Sequence, residues 1–302
     1  MVPSNILVFS TTANGTVSPT STLTGPAGVV FSGLAVDETG NAYVGGEIFG
    51  TGGGSGGPPL TAVEILVYEP GASGAQPTRT ITSSSLQVNS GGIYALTVDS
   101  SGNLYVSGVL AAPNLGIGVA VFSPTAGGSA TPIRVISGSA TTITGLFPVP
   151  IAVDSADNLY ISSADPLEPN SVLIFNSSAN GNVPPTSTIG GPATTINSIQ
   201  GLALDSAGDI YLSSGSNGTN VPPEILVFSA GSTGNVAPIR TISGSATTLD
   251  AIGDLALDSA GNIYVLNGLD LLKFGPNATG NVAPIATITA PSLVFVNSIA
   301  VH

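Results

Sequence analysis

The sequence lacks cysteine altogether across its 302 residues, which excludes both a disulfide framework and a thiolate metal site. Charged side chains are also scarce, because Asp, Glu, Lys and Arg make up only 7% of the chain. An ordinary soluble domain has about 25%. Ser, Thr, Asn and Gly occupy the surface instead. This composition favours an extracellular or cell-surface protein of bacterial origin.

Positive charge is scarcer still. Seventeen carboxylates give a formal net charge of −13 against four basic residues, Arg79, Arg134, Arg240 and Lys273. Such a chain repels phosphate backbones and anionic lipid surfaces, so nucleic-acid binding is excluded. A run of about 18 apolar residues is also missing, and we expect no membrane insertion. The first ten residues, MVPSNILVFS, do not resemble a signal peptide, so we expect any export signal to lie outside this chain.

What the sequence does contain is a repeat with three landmarks in a fixed order. The first landmark is an apolar run that ends in an aromatic residue, at Phe9, Tyr68, Phe122, Phe175, Phe228 and Phe274. The second is a glycine turn followed by a proline and a β-branched run, with the prolines at Pro19, Pro77, Pro132, Pro185, Pro238 and Pro284. The third is a run such as GLAVD, which ends at Asp37, Asp99, Asp154, Asp205, Asp258 and, in the last copy, His302.

The period of this repeat predicts the architecture. Successive prolines are 58, 55, 53, 53 and 46 residues apart, and each copy contains about four short strands. A period near 50 with four strands is typical of a β-propeller blade. We therefore predict an all-β, six-bladed β-propeller of four-stranded antiparallel blades that forms a single domain over residues 1–302. Its strands are named a (GLAVD), b (NIYV), c (ILVF) and d (IRTI).

The strands are apolar on both faces, as expected where neighbouring blades cover each sheet on both sides. The order GLAVD, turn, GNxYV and ILVF resembles NHL-repeat β-propellers, and more specifically the Ser/Thr/Gly-rich repeat proteins of bacterial secretomes. This resemblance implies that strand a is innermost and that strand d forms an exposed outer edge.

The chain begins and ends in the middle of a repeat, which raises the question of closure. It opens with strands c and d, at residues 6–9 and 20–24, and ends with a strand a at residues 298–302. We predict that these segments meet in a composite blade that closes the propeller. This blade has no strand b, so either a pairs directly with c or a native b strand lies outside the chain.

Two sets of charged residues recur at fixed repeat positions. The five aspartates that end the a strands are expected to cap their own ab turns rather than share a metal ion, because carboxylates on different blades are too far apart for one ion. Three arginines stand two residues after the proline, at Arg79, Arg134 and Arg240. We expect them to be solvated guards of the outer edge, with an anion-binding stripe as the alternative.

Candidate ligand-binding residues come from the loops that differ between copies. In an antiparallel meander the ab and cd turns share one face, and the bc and da loops share the other. The turns are short and nearly identical, whereas the bc and da loops vary, so specificity is expected on the bc/da face. The candidates there are Asp165, Glu168, Asp250 and Asp254. The alternative is that these carboxylates are scattered over the loops and have no binding role.

Propellers that resemble this chain include lyases and lactonases, but their catalytic residues do not carry over. The single histidine is the terminal His302, so chemistry that depends on histidine has no candidate. Asp254 is the one candidate for a lactonase-type metal site, and its equivalents in other copies are Gly33, Ala95, Pro150, Gly201 and Ser298.

We therefore predict a non-catalytic binding or scaffolding module without cofactor or metal, whose partner is an unknown protein, peptide or carbohydrate. A purely structural unit of a longer surface array is the alternative, and a propeller lyase or lactonase is the second alternative.

Overall fold

The described residues form an all-β propeller fold with five antiparallel four-stranded blades. The structure, a computed structural model, describes residues 4–50, 59–72, 76–86, 92–111, 116–144, 149–164, 170–215, 221–291 and 297–302. The helices in this described part are single 3₁₀ turns at Ser139–Thr141, Pro192–Thr194 and Ser245–Thr247. No helix among these residues is long and apolar enough to cross a membrane.

The first strands of the chain form a small antiparallel sheet, followed by two blades. The small sheet pairs β1 (Asn5–Val8) with β3 (Ser21–Thr24), and β2 (Gly15–Thr16) lies between them in sequence. Blade 1 consists of β4 (Val29–Val36), β5 (Ala42–Phe49), β6 (Leu60–Tyr68) and β7 (Arg79–Thr82). Blade 2 consists of β8 (Ile93–Val98), β9 (Leu104–Leu110), β10 (Gly116–Phe122) and, after the short β11 (Gly128–Ser129), β12 (Arg134–Ser137).

Three further blades follow with the same order of strands, a to d. Blade 3 consists of β13 (Ile151–Val153), β14 (Leu159–Ser163), β15 (Ser171–Phe175) and β16 (Ser187–Gly190). Blade 4 consists of β17 (Ser198–Leu204), β18 (Ile210–Gly215), β19 (Glu224–Phe228) and β20 (Arg240–Ile242). Blade 5 consists of β21 (Ile252–Leu257), β22 (Ile263–Asn267), β23 (Asp270–Phe274) and β24 (Ala286–Thr289).

The chain divides into two compact units. The first unit is Met1–Val8, Pro19–Thr142 and Ser178–Pro184, which includes the β1–β3 sheet and blades 1 and 2. The second unit is Phe9–Ser18, Ile143–Ser177 and Pro185–His302, which includes β2 and blades 3, 4 and 5 apart from residues 178–184.

The core of each blade is buried on both faces, as the continuous apolar runs predicted. In strand c of blade 4, four successive residues, Ile225, Leu226, Val227 and Phe228, are all 0% exposed. Side chains that point to opposite faces of one strand can be buried together only if both faces are covered. This burial provides the main stabilisation of the blades.

The prediction that each strand-a aspartate caps its own ab turn is confirmed. In blade 2, Asp99 Oδ1 accepts hydrogen bonds from the backbone N–H groups of Ser101 (3.0 Å) and Asn103 (2.8 Å). The fourth turn residue has positive φ, and is Gly102 in blade 2 but Asp157 in blade 3, where φ is 61°. The same pair of backbone bonds occurs at Asp37, Asp154, Asp205 and Asp258.

The expectation that strand d is an exposed outer edge holds only in part, because strand d is outermost in blades 2, 3 and 4 but is bridged at one residue by another copy, and a fifth strand covers it in blades 1 and 5. In the described cd turns of blades 2 to 5 a glycine forms a parallel bridge to strand d of the preceding copy, and in the N-terminal copy Gly15 bridges strand d of blade 5; we call this contact the latch. The latches join Gly128 to Ile81, Gly181 to Ile136, Gly234 to Ile189, Gly280 to Ile242 and Gly15 to Ile288. The equivalent Gly74 lies outside the described residues.

The termini agree only in part with the predicted composite blade. The N-terminal c and d strands are present as the β1–β3 pair. The strand a predicted at residues 298–302 is not formed, since residues 297–302 are irregular. Near the N-terminus, β2 pairs in parallel with β24 of blade 5, and both strands belong to the second unit.

Candidate binding site at the ab turns of blades 3 and 4

The candidate residues on the bc/da side are not brought together as a site. Asp165 and Glu168 lie outside the described residues. Asp250 is exposed, and its backbone N–H donates to Asn267 Oδ1 at 2.7 Å. Asp254 binds the C-terminal segment, since its Oδ2 accepts hydrogen bonds from Ser298 Oγ (2.9 Å) and the Ile299 N–H (3.0 Å). Asp254 is thus engaged in internal contacts.

The pKa of Asp254 reflects this environment. Desolvation raises the pKa from 3.8 to about 6, although hydrogen bonds from Ile299, Ser298 and Leu255 oppose the rise. Among the described residues, no group of three or more His, Cys, Asp or Glu side chains could hold a metal ion.

A regular row of side chains crosses each blade at the tyrosine of strand b, and we call it the tyrosine row. In blade 4, Tyr211 of strand b faces Val227 of strand c, which faces Arg240 of strand d. Blade 2 has the same row, Tyr105, Val121 and Arg134, and blade 1 has Tyr43, Val67 and Arg79.

The arginines lie along this row instead of serving as solvated guards, which corrects the expectation from sequence. Arg240 Nη2 donates to Tyr211 Oη at 2.7 Å, and its guanidinium carbon is 5.5 Å from the Tyr211 ring centroid. Arg240 Nη1 donates to the carbonyls of Pro276 (2.8 Å) and Ala278 (3.3 Å) in the cd turn of blade 5. Tyr211 in turn donates to Asp205 Oδ2 at 3.2 Å. The guanidinium therefore joins two blades and the ab turn.

Blades 1 and 2 repeat these contacts. Arg134 Nη2 donates to Tyr105 Oη at 2.6 Å, and its Nη1 donates to the Ala179 carbonyl at 3.5 Å. Arg79 Nη1 donates to the Pro124 carbonyl at 2.6 Å. Burial raises the pKa of Tyr43, Asp37 raises it further, and the nearby Arg79 opposes that rise.

Blade 5 supplies its cation from a different strand. Its row is Tyr264, Lys273 and Ala286, so strand d has no charge and strand c has an ammonium group. Lys273 Nζ is 4.9 Å from the Tyr264 ring centroid, 3.8 Å from Asp258 Oδ2 and 3.1 Å from the Thr11 carbonyl. Each of the four basic residues of the chain therefore contacts a strand-b tyrosine.

Blade 3 is the exception, because its row is Tyr160, Ile174 and Ser187 and contains no cation. Tyr160 still donates to Asp154 Oδ2, but at 3.4 Å. Tyr160 is 7% exposed, whereas Tyr43, Tyr105, Tyr211 and Tyr264 are 4%, 0%, 2% and 3% exposed. Ile174 is 9% exposed, against 4%, 0% and 0% for Val67, Val121 and Val227. Both residues are buried, but each is slightly more exposed than its equivalents in the blades that have an arginine.

A pocket lies at this point, between the ab turns of blades 3 and 4, and its volume is about 550 Å³. We call it the ab-turn pocket. It lies entirely within the second unit, and its lining residues are Val153, Asp154, Ser155, Asn158, Tyr160, Leu204, Asp205, Ser206, Ala207, Gly208, Ala230 and Gly231.

The electrostatics of the ab-turn pocket favour a positive charge. Burial raises the pKa of Tyr160, and the neighbouring Asp154 carboxylate raises it further, so the phenol stays protonated. Burial also raises the pKa of Tyr211, but Arg240 opposes that rise. Two carboxylates, Asp154 and Asp205, line the pocket, and the residues that line it include no Lys or Arg.

Tyr160 and Ser187 were not among the site residues predicted from the sequence, although a signal for them is present there. Aligning the copies on the proline shows Arg79, Arg134, Ser187, Arg240 and Ala286 at one position. The interruption at Ser187 is therefore visible in the sequence. Its meaning depends on the register of three strands.

Comparisons with known proteins identify the fold and leave the family open. No family model matches the sequence, and no curated protein matches it. The structure is similar to that of a protein of unknown function from Bacteroides caccae, with a TM-score of 0.60 and 10% identity over 99% of this chain and 98% of that chain. It is also similar to Mala s 1, the major allergen of Malassezia sympodialis, with a TM-score of 0.57 and 10% identity over 86% of this chain and 79% of that chain. At these identities the likeness shows the fold alone.

Proposed function

We propose that this protein is a non-catalytic binding module, extracellular or on the cell surface, whose ligand is a protein, peptide or carbohydrate. The observation that carries the proposal is the ab-turn pocket, a hollow half open to solvent that brings together two carboxylates and a phenol at the ab turns of two blades. The sparsely charged, cysteine-free composition supports the location.

The pocket does not lie on the bc/da face where binding was predicted. The variable bc/da loops remain a proposed second binding face, since rigid scaffolds present specificity on loops. The ab-turn pocket lies at the other ends of the strands, where the near-identical turns predicted no specificity. Because Ser187 replaces the arginine in blade 3, the ab turns of blades 3 and 4 border a tyrosine that has no cation from its own blade.

We also propose the finer architecture suggested by the sequence, a six-bladed NHL-like propeller closed by a composite blade. The six copies of the repeat support the count, and the β1–β3 pair has the register expected of strands c and d, since Val8 faces Ser21 as Val67 faces Arg79.

Glycan and peptide arrays probed with the purified protein test the binding function. We expect at least one ligand class to bind, and Ala207→Trp, which places a bulky side chain in the pocket lining, to weaken that binding at least tenfold. The matched control is Ala260→Trp, at the same turn position in blade 5. Absence of binding to either array would favour the purely structural alternative.

A further inference from the structure

Resting on the proposed binding function, we propose that the ab-turn pocket binds a guanidinium group carried by a ligand outside the chain, foremost an arginine side chain of a peptide or protein. The pocket is formed by the blade 3 and blade 4 counterparts of the elements that hold Arg79, Arg134 and Arg240 in blades 1, 2 and 4.

The equivalent surroundings in blade 4 show what such a group would contact. There the guanidinium of Arg240 packs over Tyr211, donates to its hydroxyl and donates to the carbonyl of Pro276, which stands two residues after the aromatic residue of strand c. In blade 1, Arg79 donates to Pro124 at the corresponding position. The guanidinium thus has two recurring kinds of partner, a phenol and a carbonyl of the next cd turn, and in blade 4 the phenol is itself bonded to the aspartate of the ab turn.

The same set is present around blade 3. Tyr160 and Asp154 correspond to Tyr211 and Asp205, and their hydrogen bond is retained. Ala230 stands two residues after Phe228, corresponds to Pro124 and Pro276, and lines the pocket. The arginine itself is missing, because Ser187 occupies its position. Ser187 is too short to reach the phenol, and its hydroxyl bonds to Thr233 Oγ1 at 2.7 Å.

Chemistry favours a guanidinium over an ammonium ion. A planar guanidinium can pack on the phenol ring while its N–H groups donate in two directions, as they do in blades 2 and 4. An ammonium is a point charge, and Lys273 reaches its tyrosine only from strand c. The net charge of −13 further favours the approach of a cation.

The size of the pocket indicates how the group is presented. A volume of about 550 Å³ exceeds what one guanidinium group fills, so the attached aliphatic chain and neighbouring atoms of the ligand also fit. An arginine within a peptide uses this space, whereas a small free guanidinium compound uses part of it.

Isothermal titration calorimetry at low ionic strength tests the proposal with three probes: methylguanidinium, the peptide acetyl-Gly-Arg-Gly-amide, and the same peptide with citrulline, which is nearly isosteric and neutral. We expect one site per chain, with the arginine peptide binding at least tenfold more tightly than the citrulline peptide. Tighter binding of the peptide than of methylguanidinium supports a peptide source, and equal binding supports a free guanidinium compound.

Two pairs of variants locate the site. Ser187→Arg supplies the pocket with the chain's own guanidinium and should weaken binding of the arginine peptide at least twentyfold, whereas Ser187→Gln should change it less than threefold. Asp154→Asn removes one charge while keeping a cap for the turn and should weaken binding at least tenfold. Asp99→Asn makes the same change in blade 2, where Arg134 is present, and should leave binding unchanged.

A converse variant tests whether the site can be transferred. Arg134→Ser gives blade 2 the chemistry of blade 3 and should raise the stoichiometry for methylguanidinium from one to two, provided that circular dichroism shows a folded chain. If this variant unfolds, the two Ser187 variants still decide the question.

The outcomes separate this inference from the proposed binding function. Equal binding of the arginine and citrulline peptides, or wild-type affinity in Ser187→Arg, overturns the guanidinium site while any ligand found on the arrays keeps the binding function. Failure of all three probes to bind also overturns the guanidinium site. Failure of the arrays as well overturns both.

Discussion

Blades 3 and 4 share the ab turn, the capping aspartate and the strand-b tyrosine, but differ at the strand-d position, which is Ser187 in blade 3 and Arg240 in blade 4. In blade 4 the arginine connects the tyrosine to the next cd turn. In blade 3 the tyrosine is more exposed and borders the ab-turn pocket. Between these two blades the strand-d residue decides whether the tyrosine has an internal cation, whereas in blade 5 Lys273 of strand c provides the cation although strand d has Ala286.

The largest effect is expected when blade 4 is converted to the chemistry of blade 3. Arg240→Ser removes charge-assisted hydrogen bonds to three oxygens and a cation–π contact, and should lower the free energy of unfolding by about 2 kcal/mol. Urea denaturation followed by circular dichroism measures the loss, with Ser187→Ala as the control. A change below about 0.5 kcal/mol would mean that Arg240 is effectively solvated.

The second effect is a dependence of the free energy of unfolding on pH, which arises at Asp254 and is separate from the difference between blades 3 and 4. The folded-state pKa of Asp254 is about 6, above its ordinary 3.8, so its contribution to stability is present below pH 4 and is lost as the pH rises through 6. A shift of this size corresponds to about 3 kcal/mol, which the partial exposure of Asp254 reduces to about 2 kcal/mol. Unfolding curves from pH 4 to 7.5 should therefore show stability falling across this window.

Asp254→Asn isolates this effect, because the variant does not titrate. Burial also raises the pKa of Glu47, Glu64 and Glu224, and these groups act in the same direction. The quantity to measure is therefore the difference between wild type and variant at each pH. A difference that stays constant over the window would contradict the assignment. Blades 3 and 4 are best compared at one fixed pH.

The third effect runs in the opposite direction to the first. Ser187→Arg gives blade 3 the contacts of blade 4 and should raise the free energy of unfolding by about 1 kcal/mol, less than Arg240→Ser loses, because the surroundings are not packed around an arginine. Differential scanning fluorimetry measures the shift, with Ser187→Gln as the uncharged control. Destabilisation by the arginine would show that blade 3 lacks the partners we assign to it.

The smallest effect is expected from moving the cation of blade 5 to the usual strand. Lys273→Val alone removes the contacts with Tyr264, Asp258 and Thr11 and should cost about 1 kcal/mol. The double variant Lys273→Val, Ala286→Arg restores the tyrosine row of blades 1, 2 and 4, and should return to within about 0.5 kcal/mol of wild type. A double variant as unstable as the single one would show that the strand of origin matters.

Much of the fold could be predicted from local patterns. The turn aspartates, the glycines with positive φ and the continuously apolar strands each act within one copy, and their spacing defined the four-stranded blades. The latches were missed because they join residues about 45 positions apart in different copies, as Ile136 and Gly181 do, and periodicity within a copy does not specify pairing between copies.

The candidate site was missed for a related physical reason. Loop variability predicted Asp165, Glu168, Asp250 and Asp254 as the site. The ab-turn pocket instead lies beside a strand d in which Ser187 replaces the arginine of blades 1, 2 and 4. Whether Ser187 leaves a site or merely an exposed hydroxyl depends on what faces it across strands c and b. The C-terminal contact of Asp254 likewise depends on the path of residues 297–302, which has no strand periodicity to reveal it.

The latches have a consequence for how such a chain can grow. Blades 2, 3 and 4 each donate one glycine to the copy before and accept one from the copy after, as blade 4 does through Gly234 and Gly280. Duplication of a whole copy of about 50 residues therefore adds one donor and one acceptor, and no strand d gains an unpaired edge. Duplication of half a copy breaks that balance. The latch thus makes the intact repeat the natural increment by which genes of this kind lengthen or shorten.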